Sequence, residues 1–175
     1  IDAFGGGFNV GVNIDANKII YNDINPFVEG LIRSFYSEPC SYLQYIEKQI
    51  KKYNLSPDNK KGFLQLREKY NSIPVNKRDP RMLYTLILYG FQQQIRFNTN
   101  WGFNNPAGSR WFNENLLSKF IAFTRSLQAK NVVFMNSSFK NLDIQFTPNM
   151  FIYADPPYRS TLGVYNDGKR GFEGW

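Results

Sequence analysis

The sequence predicts an α/β protein in which a parallel sheet is interrupted by a long, mainly helical stretch. Three observations carry that expectation. Two short apolar runs, Lys18 to Asp23 (KIIYND) and Met150 to Ala154 (MFIYA), each lead into an aspartate, the pattern of buried parallel strands with polar groups at their carboxyl ends. A glycine run, Gly5-Gly6-Gly7, stands close before the first of them, where a strand would turn into a helix. Between the two runs, from Ser41 to about Leu127, apolar residues recur at three- and four-residue spacing, which is helical grammar.

Taken in order, Ile1 to Phe8 (IDAFGGGF) reads as the tail of a strand entering a glycine turn, and Asn9 to Ile14 as a continuing helix. Asn25-Pro26 opens an amphipathic helix through about Tyr36, with proline at a permitted first-turn position. Four helical segments follow, Tyr42 to Tyr53, Lys61 to Tyr70, Arg81 to Gln93 and Phe112 to Leu127, separated by Asn, Pro and Gly. Residues 96 to 110 (RFNTNWGFNNPAGSR) resist helix and read as a structured loop or hairpin. Asn131 to Met135 (NVVFM) restores the buried-strand pattern before the run that ends at Asp155. A strand, glycine turn, helix, strand, acid, helix succession is the grammar of a nucleotide-binding half-fold.

Composition narrows the chemistry. The chain has 175 residues, and its 42% hydrophobic and 17% aromatic content is enough to fill a core. It has no histidine and one cysteine, Cys40, which excludes a disulfide framework, the usual zinc sites and histidine-dependent triads. No run approaches the roughly 18 to 20 apolar residues of a membrane span, so a soluble, reducing, cytoplasmic setting is expected. The net charge is +7 and uneven. Residues 38–125 hold fourteen basic side chains against six acidic ones, and the remainder is about neutral. That asymmetry suits one body holding a small ligand and another gripping phosphates. The lysines at 48, 51, 52, 60 and 61 read equally well as phosphate contacts or as a solvated face.

The sharpest motif is Asp155-Pro156-Pro157-Tyr158. Two prolines stiffen an extended turn, Asp155 supplies an acceptor, Pro156 a carbonyl acceptor and Tyr158 a flat face. Two acceptors beside a stacking plate suit a planar group bearing an amine, such as the exocyclic amine of a base. An ordinary strand-to-loop turn is the plain alternative. Asp23, 17 residues after Gly6, has the placement of an acid that accepts ribose hydroxyls, or of a helix N-cap.

Together these residues resemble the DNA adenine methyltransferases of the Dam type. Asp2-Ala3-Phe4-Gly5-Gly6-Gly7-Phe8-Asn9-Val10 is similar to the family's first motif, and Asn22-Asp23-Ile24-Asn25 to its second. Phe63 to Tyr70 (FLQLREKY) resembles a helix of its recognition insert. Arg96-Phe97-Asn98, Gly102-Phe103-Asn104 and Pro106-Ala107-Gly108 resemble that insert's signature, and Asn136-Ser137-Ser138-Phe139 sits at the third motif. Phe8 stands at a site the family usually gives to glycine, and Ser138 where many members carry aspartate. The family's Lys-containing N-terminal motif is not in the sequence, which leads us to expect a piece of a longer protein.

The resemblance implies a Rossmann-like S-adenosylmethionine-dependent methyltransferase sheet with an inserted mainly helical target-recognition domain. It assigns residues 1–37 and 126–175 to catalysis and cofactor binding, and 38–125 to recognition. It implies S-adenosyl-L-methionine held by Phe4, Gly6, Gly7, Asp23, Ile24, Ser138 and Phe139, and catalysis by Asp155, Pro156, Pro157 and Tyr158 without a metal. Arg96, Asn98, Asn104 and Arg110 would contact double-stranded DNA, with adenine methylated after base flipping, at GATC if the Dam likeness extends to the target. A prokaryotic or phage source and a restriction endonuclease partner fit the same picture. Methylation of RNA or of a protein glutamine, and a DNA-binding module that has lost its donor site, are the alternatives. Phe97, Trp101 and Phe103 are either wedges for the flipped base's gap or the small core of a hairpin.

Overall fold

The computed structural model describes residues 1–142, 144, 145 and 147–156. It is an α/β structure of two compact units, one formed by residues 1–37 and 118–156 and the other by Glu38–Leu117.

The first unit is built on parallel pairing. Strand β1 (Ile19–Asn22) runs beside strand β2 (Val132–Met135), with Ile19 opposite Val132 and Asn22 opposite Met135. On β1's other side Asp2 makes a parallel bridge to Tyr21, and Asp2 in turn bridges Tyr153. Four segments therefore run the same way, and the residues that follow each of them collect at one sheet edge. Helix α1 (Pro26–Ser37) buries Val28, Leu31, Ile32 and Phe35. It starts where Asn25 Oδ1 accepts from the amides of Phe27 (3.0 Å) and Val28 (3.4 Å), an N-cap ahead of Pro26. Helix α5 (Glu114–Gln128) enters this unit from Ser118 onward, where Phe120 and Phe123 stand edge-on to Phe35 at 5.3 and 6.2 Å.

The second unit packs helix α2 (Cys40–Tyr53), helix α3 (Lys60–Ser72) and helix α4 (Pro80–Tyr89) around Tyr42, Ile46, Phe63, Leu66, Tyr70, Leu83 and Leu86, all nearly inaccessible to solvent. Asp79 caps α4 through Arg81 N at 2.8 Å, with Pro80 at the first helical position. The 96–104 stretch is a hairpin. Phe97 and Phe103 form an antiparallel bridge, are 0% and 1% exposed and meet edge-on at 5.7 Å. Those two rings are core, so neither is a free wedge.

Three expected elements differ. The helix expected over Arg81 to Gln93 ends at Tyr89, because Gly90 is extended and bridges Ala107 and Phe91–Gln93 form a separate 3₁₀ turn. Asn9 to Ile14 is not an α-helix but a single 3₁₀ turn, Gly11–Asn13. Phe8 takes a left-handed φ of 61° that turns its ring inward, and Gly11 lies so close to that ring that a Cβ there would come within 2.0 Å of it. The tight turn closes on itself and Ile14 is already extended. Met150 to Ala154 is not a buried strand either. Its pairing is the single bridge at Tyr153, flanked by Ala3 N to Tyr153 O (3.0 Å) and Tyr153 N to Ile1 O (2.7 Å), while Phe151 is 67% exposed. The run has a ladder partner on one side only among the described residues, too little to extend the strand.

Candidate active site

The glycine turn is tied to the second strand by one bond. Gly6 N donates to Asp23 Oδ2 at 2.9 Å, and Asn25 N donates to Asp23 Oδ1 at 2.8 Å. Asp23 thus fixes both the turn after the first segment and the entry to α1. Beneath, the Tyr21 hydroxyl donates to Gly6 O at 2.9 Å and its ring takes the space a Gly5 side chain would need, 2.3 Å from the Cβ position. Gly6 has φ +47°, and the nearest atom to a Cβ there is Phe4 O at 3.9 Å, so the turn presents open backbone on its outer side.

Asparagines join the remaining segments. Asn22 Nδ2 donates to Ala3 O (3.0 Å) and Ser137 O (3.1 Å), and Asn22 Oδ1 accepts from Ser137 N at 3.1 Å. Asn136 Nδ2 donates to Asp23 O at 2.7 Å. Ser138 caps the 3₁₀ turn Phe139–Asn141, and the Phe139 ring lies 5.2 Å from the Phe4 ring. Phe4, Gly6, Gly7, Asp23, Ser138 and Phe139 thus come from three segments that end at the same sheet edge, with Ile24 beside them, 51% exposed. On the fourth segment Asp155 is exposed and its Oδ2 accepts from the Tyr153 hydroxyl at 3.4 Å, with Pro156 half-buried beyond it. Pro157 and Tyr158 lie outside the described residues.

Asp2 lies beneath the turn, 3% exposed, with Oδ1 buried and unpartnered. Burial, reinforced by nearby Asp23, pushes its pKa up to about 6 against the pull of the Gly11 and Phe4 amides. Among the described residues there is no cluster of three or more His, Cys, Asp or Glu side chains able to hold a metal.

In the second unit the four polar residues singled out for DNA fall into different situations. Arg96 is exposed, and its carbonyl accepts from Asn104 N at 3.0 Å. Asn98 spends its Oδ1 on the hairpin turn, accepting from Asn100 N (3.0 Å) and Gly102 N (2.7 Å). Asn104 has its Oδ1 buried and unpartnered. Arg110 is exposed and donates to Gln93 Oε1 at 3.2 Å. That partner went unremarked in the sequence. Gln92 and Gln93 both hold left-handed φ values, 50° and 55°, a strained pair braced by Asn105, whose Nδ2 donates to the carbonyls of Phe91 (2.9 Å) and Gln94 (3.1 Å). Consecutive left-handed glutamines leave no signal in a sequence.

The family model for D12 class N6 adenine-specific DNA methyltransferases matches residues 1–173. The chain belongs to that family. It is 42% identical to the type II methyltransferase M.FokI of Planomicrobium okeanokoites and 40% identical to the modification methylase StsI of Streptococcus sanguinis, in each case over the whole chain and 27% of the relative. It is 28% identical to a DNA adenine methylase of Vibrio cholerae over 90% of the chain and 55% of that protein. The chain therefore spans about a quarter of the length of the first two relatives. The Dam likeness holds at low identity, while type II modification methylases match at higher identity.

Proposed function

We propose that this chain belongs to the catalytic part of an enzyme that methylates the exocyclic N6 of adenine in double-stranded DNA, with S-adenosyl-L-methionine as donor. The observation that carries the reading is the gathering, at one end of four parallel segments, of the Gly6–Asp23 turn and the Asp155-Pro156 pair in a member of the adenine methyltransferase family. The residues present fit the donor: an outward-open glycine turn, a carboxylate at the end of the second strand and two aromatic rings, Phe4 and Phe139. When bound, S-adenosyl-L-methionine supplies a sulfonium-activated methyl group.

The chain's own groups have a positioning task. Asp155 accepts one amino proton of the target adenine and the Pro156 carbonyl the other, which favours a nitrogen whose lone pair is free of the ring and stabilises positive charge growing on it. Tyr153, donating to Asp155 Oδ2, orients that carboxylate. The adenine reaches such a site only outside the duplex stack, and Tyr158 is the residue assigned to stack on it. Holding amine and methyl in line supplies several kcal/mol of the barrier. In this reading the sheet is a Rossmann-like methyltransferase sheet, residues 1–37 and 126–175 serve chemistry, and 38–125 form the inserted recognition domain. Arg96 and Arg110 read guanine, each bidentate pair giving about 1 to 3 kcal/mol of discrimination, and Asn98 or Asn104 contacts adenine through its Nδ2, since the Oδ1 of Asn98 is held by the hairpin turn and that of Asn104 is buried.

The target remains GATC only as far as the Dam likeness extends. The names of the modification methylases support instead a protective role beside a restriction endonuclease, and with it a bacterial or phage cytoplasm. Labelled methyl transfer from the full-length protein to unmethylated DNA, with RNA and protein as parallel substrates, tests the reading. Asp155→Ala is expected to lower transfer by at least 10²-fold while donor affinity, measured by calorimetry, stays within a few-fold. Transfer to RNA or protein alone, or an unimpaired Asp155→Ala enzyme, would refute it.

A further inference from the structure

Among the basic side chains of the second unit, three arginines are spent on the fold and a group of five lysines is not. Arg78 donates to the carbonyls of Ile73 (3.1 Å), Asn71 (3.3 Å) and Trp101 and lies 4.9 Å over the Tyr70 ring. Arg67 donates to Asn105 O at 3.1 Å, and Arg81 makes a forked pair with Asp79 while lying 4.7 Å over Tyr45. These arginines hold the fold together. Lys48, Lys51, Lys52, Lys60 and Lys61 are all exposed, and none makes an ion pair among the described residues.

Those five lysines share one corner. Lys48, Lys51 and Lys52, at i, i+3 and i+4, lie on one face of α2 and line a shallow open groove with Gln44 and Glu47. Lys60 and Lys61 open α3, whose start abuts the end of α2. A Cβ on Gly62 would come within 2.1 Å of Tyr53 O, and Asn59 Nδ2 donates to Asn54 O at 2.7 Å. Their placement is locally unfavourable. Lys48 and Lys52 are like charges one turn apart. Lys60 and Lys61 stand at the positive end of the α3 dipole with no acidic residue in the first turn. The helices gain nothing from these charges at Lys48, Lys60 and Lys61, whose small local cost an anion outside the fold would offset.

We propose that the α2–α3 corner is a sequence-independent DNA grip, in which Lys48, Lys51, Lys52, Lys60 and Lys61 neutralise backbone phosphates separately from the residues that read bases. The inference rests on the proposed DNA substrate. It adds a surface that sets affinity and salt dependence and leaves target choice alone, since phosphate contacts position a protein without reading sequence.

The test uses the full-length protein, a short duplex built only of G·C pairs, which offers no adenine to methylate, and unmethylated genomic DNA. For the wild type, log Kd on the G·C duplex is plotted against log salt concentration. K48Q/K51Q/K52Q is expected to flatten that slope by about 2 to 3 and K60Q/K61Q by about 2, at about 0.9 per phosphate contact. K60Q/K61Q is also expected to keep or raise the melting temperature, which separates lost contacts from lost folding. Mapped methylation sites stay the same in both variants. Unchanged slopes would make the corner a solvated face and overturn the proposal, as would losses confined to DNA carrying the target. A wild type that binds no duplex overturns this inference and the DNA reading together, whereas a wild type that methylates DNA with slopes insensitive to the lysines overturns this inference alone.

Discussion

Asp2 keeps its carboxylate under the glycine turn, 3% exposed, with burial raising its pKa from an ordinary 3.8 to about 6. Between those values the unfolded chain has lost its proton while the folded chain still holds it. This residue's contribution to stability is therefore fully present below about pH 4 and lost as pH rises through 6, a span of at most ~3 kcal/mol. Asp2→Asn is expected to remove that slope, read as the difference between wild-type and variant urea midpoints at pH 5 and pH 7.5. A variant with the wild-type pH dependence would show that the strain lies elsewhere. The neighbouring glycines separate packing from access. Gly5→Ala drives a methyl into the Tyr21 ring, itself wedged edge-on by Phe8 at 5.0 Å, and is expected to lose about 1 to 3 kcal/mol of stability. Gly7→Ala meets nothing nearer than Asn9 Nδ2 at 3.4 Å, so its melting temperature should hold while donor affinity falls, because Gly7 is exposed on the turn's rim. The succession of glycine turn and strand-end acid was legible in the sequence, but the bond from Gly6 N to Asp23, which was read as a ribose acceptor or a helix N-cap, was not. Nor were Tyr153 and Asn136, since their bonds depend on the register between segments distant in the chain.

At the scale of elements, the helices announced themselves because each buries one stripe, and that stripe is a period in the sequence: α2 hides Tyr42, Ile46 and Gln49, and α3 hides Phe63, Leu66 and Tyr70. Strand-like runs carry no such guarantee. Met150 to Ala154 is as apolar as β2, yet a strand exists only where a neighbour pairs with it, which is information from other segments. The hairpin stayed ambiguous for a related reason. Its stability comes from α3, whose Asn71 donates to Phe103 O at 3.0 Å and accepts from Phe103 N at 2.8 Å. Asn71→Ala strips both partners from a residue that is 1% exposed, so a loss of about 2 to 6 kcal/mol is expected in denaturant unfolding, at about 1 to 3 kcal/mol for each orphaned group. A loss below 0.5 kcal/mol would mean that the hairpin is held by its aromatic pair alone. If Arg96 reads bases, the same variant also lowers target discrimination, because the Arg96 carbonyl is paired within that hairpin.

For the whole molecule the question is how chemistry and target choice are shared between the two units. Among the described residues, every one assigned to the donor or to the adenine amine falls in residues 1–37 or 118–156, and every candidate base reader falls within Glu38–Leu117. The charge follows the same division, with the excess of basic residues concentrated in 38–125. Sequence is read through base edges, whereas in the proposed mechanism the methylated atom is set by which amine the Asp155-Pro156 pair holds, so the two properties should travel separately. Replacing residues 38–117 in the full-length protein with the matching stretch of the Streptococcus sanguinis modification methylase, 40% identical across the chain, should move the mapped sites to that enzyme's target. The modified atom should stay adenine N6, and the donor Kd should stay within a few-fold. An active chimera that keeps the parental sites would place target choice in the sheet unit or outside this chain, and one that modifies a different base would break the link between Asp155-Pro156 and the amine.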